Sequence, residues 1–362
     1  MFSSDESKPV TGQIDTYLSA DRWVEGPLLG IETSCDETAA AVLDADGTVR
    51  SSVISSQHQV HERFGGVVPE LASRAHIESI ETIAASALER AGTAWRDICG
   101  VAVTQGPGLA GALIVGVSYA KALAYALRIP LVGVTHLEGH IASAWLQNPD
   151  FPSSAVVLVV SGGHTHLYKK TKAGPCQLLG CTRDDAAGEA FDKGAQMLGL
   201  GFPGGPALDK LAQSGDSKKI PFPKSSIRKA ALEFSFSGLK TALLYKLQRM
   251  TLASVDRDRA HLAAGFQESI VSVLVDKAFE AVRQTGIGAL AVVGGVSANS
   301  RLRMLLHEKA RSEGIQLSIP SLQYCTDNAA MIASAGMQAL RAGRRASLDT
   351  EACASLDEAS MR

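Results

Sequence analysis

At 362 residues, with 46% hydrophobic and 20% charged side chains, the chain has the size of two ordinary domains and the balance of a soluble globular protein. A formal net charge of −2 excludes a protein that coats nucleic acid indiscriminately, because such binding needs many phosphate-neutralising Lys and Arg. Six cysteines without a CxxC pair exclude a zinc ribbon and point to free thiols in a reducing, cytoplasmic setting, with Cys176 and Cys181 as the pair that could bridge.

Residues 1–26 are polar and acidic, and read as a mobile N-terminal extension rather than a secretory or organellar leader. Leu28–Glu32 is a short apolar strand that runs through Thr33-Ser34-Cys35-Asp36-Glu37-Thr38 into a return strand, Ala39–Leu43. Val49–Ser55 continues as a third strand, and apolar periodicity predicts a helix over Pro69–Arg90. Ile98–Thr104 is a strand, followed by Gln105-Gly106-Pro107-Gly108 and a helix over about Leu109–Leu127. The longest apolar stretch, Gly108–Tyr119, falls short of the roughly 20 residues of a membrane span, so no membrane partner is expected. Leu131–Val134 is a strand that feeds a helix carrying His136 and His140, and Asn148–Ser153 is a Pro- and Ser-bearing break.

The second half opens as the first does. Ala155–Val160 is a strand, Ser161-Gly162-Gly163-His164-Thr165 a polar tip, and His166–Lys169 the return strand. Residues 184–215 are a Gly-rich helix-and-loop region, and 217–230 are polar and basic. A long helix is predicted over Arg257–Thr285, then a strand over Ala289–Val293 that ends in Gly294-Gly295-Val296-Ser297-Ala298-Asn299. Ile315–Ile319 is a late strand and Thr326–Leu340 the last helix. Alternating strands and helices give an α/β class, and two hairpin-led halves give two actin/hexokinase/Hsp70-like (ASKHA) lobes facing a cleft. The expected division is 27–150 for the N-terminal lobe, with a last helix at 323–345 packing back onto it, 151–322 for the C-terminal lobe, and a flexible tail at 346–362.

Three loops are candidates for anion contacts: Asp36-Glu37-Thr38, Ser161-Gly162-Gly163-Thr165 in their two tips, and Gly294-Gly295 before a helix. Each alone is equally a tight turn. His136 and His140 stand at i and i+4, which puts both imidazoles on one helix face, either as chelators of one divalent ion or as two surface histidines. Glu138 lies at i+2, so the segment is not the H-E-x-x-H of zinc proteases. Asp327 is either a helix N-cap or a third ligand. Two imidazoles and a carboxylate with open positions suit Fe2+, with Zn2+ as the alternative. Asp192 offers a hydrogen-bond acceptor, Lys240 a cation, and Lys218, Lys219, Lys224, Arg228 and Lys229 a basic stretch for RNA phosphate or a solvated loop.

Gly30–Thr38, Gly65–Arg74, Gly106–Leu109, His136-x-x-x-His140, Val160–Thr165, Gly188–Lys193, Phe202–Pro206 and Gly294–Asn299 together resemble the tRNA N6-adenosine threonylcarbamoyltransferase family, once labelled O-sialoglycoprotein endopeptidase. The likeness runs in order from about Leu28 to Leu340 and is closer to the bacterial and organellar branch. It implies an ion bound by His136, His140 and Asp327, and substrate contacts from Val159, Val160, Ser161, Gly162, Gly163, Asp192, Gly205 and Asn299. It implies an adenylate- or ATP-type ligand, threonylcarbamoyl-AMP as donor and adenosine 37 of tRNAs reading ANN codons as acceptor. Asp36 or Glu37 would take the proton or position the amine. Partners implied are tRNA, a non-catalytic paralogue of the same fold and a small P-loop ATPase. Gly194 departs from the larger residue of many relatives, and is expected to loosen its helix. The rival readings are a small-molecule kinase of the same fold, a metalloprotease, and a non-catalytic scaffold.

Overall fold

A computed structural model describes residues 25–172, 176–201, 203–224 and 231–355. The expected extension at 1–24, Phe202, Arg228 and Lys229 of the basic stretch, and the chain beyond 355 lie outside the described residues. The described residues fall into two compact units: 25–56, 69–139 and 328–355 belong to the first, and 57–68 and those within 140–327 to the second.

The first unit is built on strands β1 (Leu28–Glu32), β2 (Glu37–Leu43), β3 (Val49–Ser56), β4 (Gly100–Gly106) and β5 (Leu131–Thr135), in the order β3-β2-β1-β4-β5. β1 pairs antiparallel with β2 and parallel with β4. On one face, Leu29, Ile31, Val101 and Val103 pack against Ile80, Ala84 and Leu88 of α1 (Pro69–Ala91) and Val117 and Ala120 of α2 (Ala110–Leu127). Burial of each such branched side chain contributes about 1.5–3 kcal/mol. α2 is apolar and long enough by composition to cross a bilayer, more so than the sequence stretch suggested, yet its Val117, Ala120 and Ala124 are spent in this core. α9 (Ala329–Arg341) covers the other face. It sits so close that a Cβ on Gly30 would lie 2.3 Å from the Ala329 carbonyl oxygen, and one on Gly336 2.3 Å from the Ala102 Cβ.

The second unit repeats the plan with β6 (Ala155–Val160), β7 (Thr165–Lys170), β8 (Gln177–Cys181), β9 (Ala289–Val293) and β10 (Gln316–Ser318), ordered β10-β9-β6-β7-β8. Counted by position in each unit, the strand order and the pattern of parallel and antiparallel pairs are the same as in the first. Its core is organised by the 34-residue α7 (Leu252–Thr285), which opens on the Thr251 cap and ends at Gly286. Around it stand α4 (Ala187–Met197), α5 (Gly204–Ala212), α6 (Ser237–Gln248) and α8 (Ser300–Glu313). Neither β8 nor α6 is expected from the sequence. β8 is a short strand with exposed Gln177 and Leu178, whereas α6 does carry helical spacing, with Leu239 and Leu243 in the core and Leu247 against it, and is short.

Three expectations are corrected. The division falls at Gly139/His140, not at residue 150, because residues 140–151 are tied to the second unit. There Ser318 Oγ donates to the Ala144 carbonyl, the Trp145 ring lies against Phe151, and the Lys170 ammonium stands over Trp145. The expected flexible tail is ordered as far as it is described: Ala346 N donates to Leu131 O, Cys353 N to Gln105 O, and Gly108 N to Ala354 O. Gly194 does not loosen α4. A Cβ there would lie 2.4 Å from Cε1 of Phe266, a fully buried ring, so the glycine is the seat for that ring. The described cysteines are all thiols.

Candidate active site

Helix α3 (His136–Ser143) begins with a reciprocal cap. Thr135 Oγ1 accepts from Glu138 N, and Glu138 Oε2 accepts from Thr135 N. This T-x-x-E box fixes the first turn and therefore the direction of His136. It also occupies Glu138, whose Oε1 pairs with Arg344 at 3.0 Å. His136 and His140 are both buried, one turn apart. His140 Nε2 lies 3.3 Å from Asp327 Oδ1. Capping of α9 falls to Asn328, whose Oδ1 accepts from Met331 N, so Asp327 is not that cap.

One donor atom from each of His136, His140 and Asp327 falls within 4.8 Å of the others. An ion with bonds of about 2.0–2.2 Å holds its donors about 3–4.4 Å apart, so small side-chain rotations complete the set. Two imidazoles and one carboxylate fit Fe2+ or Zn2+ and leave positions for substrate or water.

The β1–β2 tip carries Asp36 and Glu37, both half-buried. It is pinned from two sides. Leu109 N donates to Ser34 O at 2.8 Å. His76 of α1, fully buried, spans the loop with Nε2 3.0 Å from Cys35 O and Nδ1 2.7 Å from Thr38 Oγ1. A carbonyl only accepts, so in a neutral ring Nε2 donates to it and Nδ1 accepts from the threonine hydroxyl. Behind the tip, Glu32 accepts from Ser34 N and from Thr104 Oγ1, with His136 Nδ1 3.2 Å from its Oε2. Sequence reasoning passed over Glu32, Thr104 and His76; the one available signal is a charged residue closing an otherwise apolar strand.

In the second unit, the β6–β7 tip closes with Ser161 N donating to His164 O at 2.8 Å, and leaves Gly162 and Gly163 exposed. α4 starts beside it: Gly188 N donates to Ser161 O, and Ala187 N to Thr165 Oγ1. The Gly294 turn reaches the same strand end. Its φ is +93°, and a Cβ there would lie 2.4 Å from Val160 O. Ser161, Gly162 and Gly163 are thus gathered with Gly294. Val159 and Val160 are fully buried, so their side chains belong to the core and only their backbone can serve a ligand. Asn299 caps α8 through Leu302 N and donates its amide to Gln267 Oε1, so both ends of that side chain are engaged.

Asp192 and Gly205 are brought together, with Gly205 N donating to Asp192 Oδ1 at 3.0 Å. Burial pushes the Asp192 carboxyl above the usual range, against the Gly205 and Gly204 N–H groups that favour the anion. A carboxyl raised on folding weakens the fold once it is charged. Asp192→Asn is therefore expected to melt above the wild type at pH 7.5, with the gap closing as pH falls to where Asp192 is protonated in both states. Calorimetric melts across that range check it; an equal gap at every pH would refute the assignment.

The lysine expected to face phosphate is neutralised locally. Lys240 Nζ donates to Asp185 Oδ2 at 3.0 Å, and Lys193 shares that carboxylate. Lys193 is held above its ordinary value chiefly by Glu189. Burial pushes Asp184 up, but hydrogen bonds from Ser235, Phe236 and Ser237 outweigh it and hold the carboxyl below its ordinary value. Of the basic stretch, Lys224 pairs with Asp276, and Lys219 Nζ lies 3.3 Å from His261 Nε2.

Residues 48–334 match the family model described as tRNA N6-adenosine threonylcarbamoyltransferase. Curated relatives carry the same description. That of Anaeromyxobacter sp. is 52% identical over 90% of this chain and 98% of its own. Those of Syntrophus aciditrophicus (50%; 90% and 96%) and Clostridioides difficile (48%; 85% and 91%) follow. Among solved structures, HypF of T. kodakarensis superposes with a TM-score of 0.61 at 12% identity, over 89% of this chain and 48% of its own. Component A of the Acidaminococcus fermentans (R)-2-hydroxyglutaryl-CoA dehydratase gives 0.52 at 16%, over 88% and 98%. At such identities the likeness speaks to the fold alone, which is the expected actin/hexokinase/Hsp70-like α/β class.

Proposed function

The chain belongs to the tRNA N6-adenosine threonylcarbamoyltransferase family, and on that premise we propose which donor, acceptor and residues it uses. It is an acyltransferase that modifies tRNA. The donor is threonylcarbamoyl-AMP and the acceptor N6 of adenosine 37 in tRNAs reading ANN codons. The observation that carries the reading is the convergence of His136, His140 and Asp327. When bound, a divalent ion, Fe2+ or alternatively Zn2+, supplies Lewis-acid charge for carbonyl or phosphate oxygens, worth several kcal/mol of barrier by order of magnitude.

The chain's own groups do the rest. The donor is a mixed anhydride, so attack by the N6 amine forms a C–N bond, breaks the C–O bond to phosphate and releases AMP. The exposed Gly162 and Gly163 backbone, the Ser161 hydroxyl and the Gly294 turn suit the adenylate phosphate. Asp192, with Gly205 beside it, suits a donor hydroxyl or amine. Asp36 or Glu37 takes the N6 proton or orients the amine, on a tip that His76 and Leu109 hold still. An anticodon-loop base is single-stranded and can be splayed out to meet them. Glu138, consumed in the α3 cap and by Arg344, is poorly placed as a protease base. A non-catalytic paralogue and a small P-loop ATPase complete the proposed assembly, in the cytoplasm.

Nucleoside mass analysis of tRNA from cells depleted of this protein tests the reading. Loss of threonylcarbamoyl-adenosine is expected, with unmodified adenosine in its place. An unchanged level would overturn it.

A further inference from the structure

Glu32 is fully buried at the end of an apolar strand, a place where a charge is costly unless its lone pairs are used. They are used. Oε1 accepts from Ser34 N, and Oε2 accepts from Thr104 Oγ1 at 2.6 Å and lies 3.2 Å from His136 Nδ1. A carboxylate accepts hydrogen bonds and donates none, so Nδ1 of His136 carries the proton. Ser34 Oγ, also 3.2 Å from Nδ1, can share it. With the proton on Nδ1, metal ligation falls to Nε2.

We propose that Glu32 is a positioning residue for the metal ligand His136: it fixes the ring's tautomer and aim and makes Nε2 a stronger donor. The inference rests on the metal reading above and goes beyond it, since Glu32, Ser34 and Thr104 lie outside the set of donors that His136, His140 and Asp327 bring together. A carboxylate behind a ligating imidazole is the arrangement that typically changes metal affinity about 10- to 100-fold when removed. Thr104 acts one step further back. It holds Oε2 where the imidazole meets it.

Co2+ alone, titrated into the metal-stripped full-length chain and followed by its visible absorption, tests this, with Zn2+ competition as a check. The wild type is expected to bind and His136→Ala to lose binding. Glu32→Gln keeps the shape but loses the charge: with its carbonyl oxygen kept for Nδ1 and Thr104, the amide N–H is turned toward Ser34 N, and in the opposite orientation it is turned toward Nδ1 itself. Its Co2+ affinity is expected to fall about 10-fold or more, with a shifted visible band. A merely structural role would reduce the folded fraction and leave the affinity and band of the remainder unchanged, and that result would overturn the proposal. Should near-UV dichroism show Glu32→Gln unfolded, Thr104→Val carries the test, since the carboxylate stays; weaker binding supports the proposal and unaltered binding refutes it. If the wild type itself binds no Co2+, the metal reading fails first, which is a different result from a Glu32 variant that binds normally.

Discussion

His136→Ala is expected to lower threonylcarbamoyl transfer by roughly three orders of magnitude or more, since several kcal/mol of electrostatic stabilisation are withdrawn and each ~1.4 kcal/mol is tenfold. The fold should survive, because the helix is started by the Thr135–Glu138 box and not by the imidazole. Some stability will go. Glu32 loses a partner in a fully buried place, a cost of about 1–3 kcal/mol. The measurements are single-turnover transfer with purified components, bound metal per chain, and near-UV dichroism. Wild-type transfer by the variant would sink the metal assignment.

The second large effect is in packing. Gly194→Leu drives a side chain into the Phe266 ring, which also lies edge-on to Phe222 with centroids 5.9 Å apart. Overpacking of this kind costs about 1–3 kcal/mol. Phe266→Ala alone should cost about 3–5 kcal/mol through the cavity it leaves. The double variant is the informative one. If the two side chains compete for one volume, its loss will be well below the sum of the single losses, a coupling that denaturant titration reads directly. Additive losses would show that the Leu finds another path out of α4.

Much of this architecture is written in the chain, and the reasons differ by element. Ala155–Val160 and Ala289–Val293 are legible to the residue, because strands buried on both faces are unbroken apolar runs. The last helix is anticipated three residues early, because Asp327 looks like a cap when the working cap is Asn328. β8 is missed for want of buried apolar residues, while α6 is missed although Leu239, Leu243 and Leu247 stand at helical spacing. At the site, the His136–His140 spacing is a local signal and reads as such. Asp327 is 187 residues from His140 in sequence, and no local pattern joins them; only the resemblance does. Glu32 is invisible for the same reason, since its meaning lies in a histidine four strands later. The glycine at 194 misleads because propensity weighs its backbone freedom, whereas the core uses its emptiness.

Because the two sheets share one strand order, their hairpin tips fall at equivalent corners: the turn between Glu32 and Ala39 answers the shorter one, Ser161-Gly162-Gly163-His164, between Val160 and Thr165. One scaffold has thus acquired opposite polarities at equivalent corners. The first corner displays carboxylates, which take up a proton and repel phosphate, against the anion contact expected of Asp36-Glu37-Thr38; the second displays the exposed Gly162 and Gly163 backbone, whose amides favour phosphate. The sheets dictate where a corner falls but not its electrical character, which resides in a handful of tip residues. Chemistry of this kind can be rewritten at the corners while the ten strands behind them stay as they are.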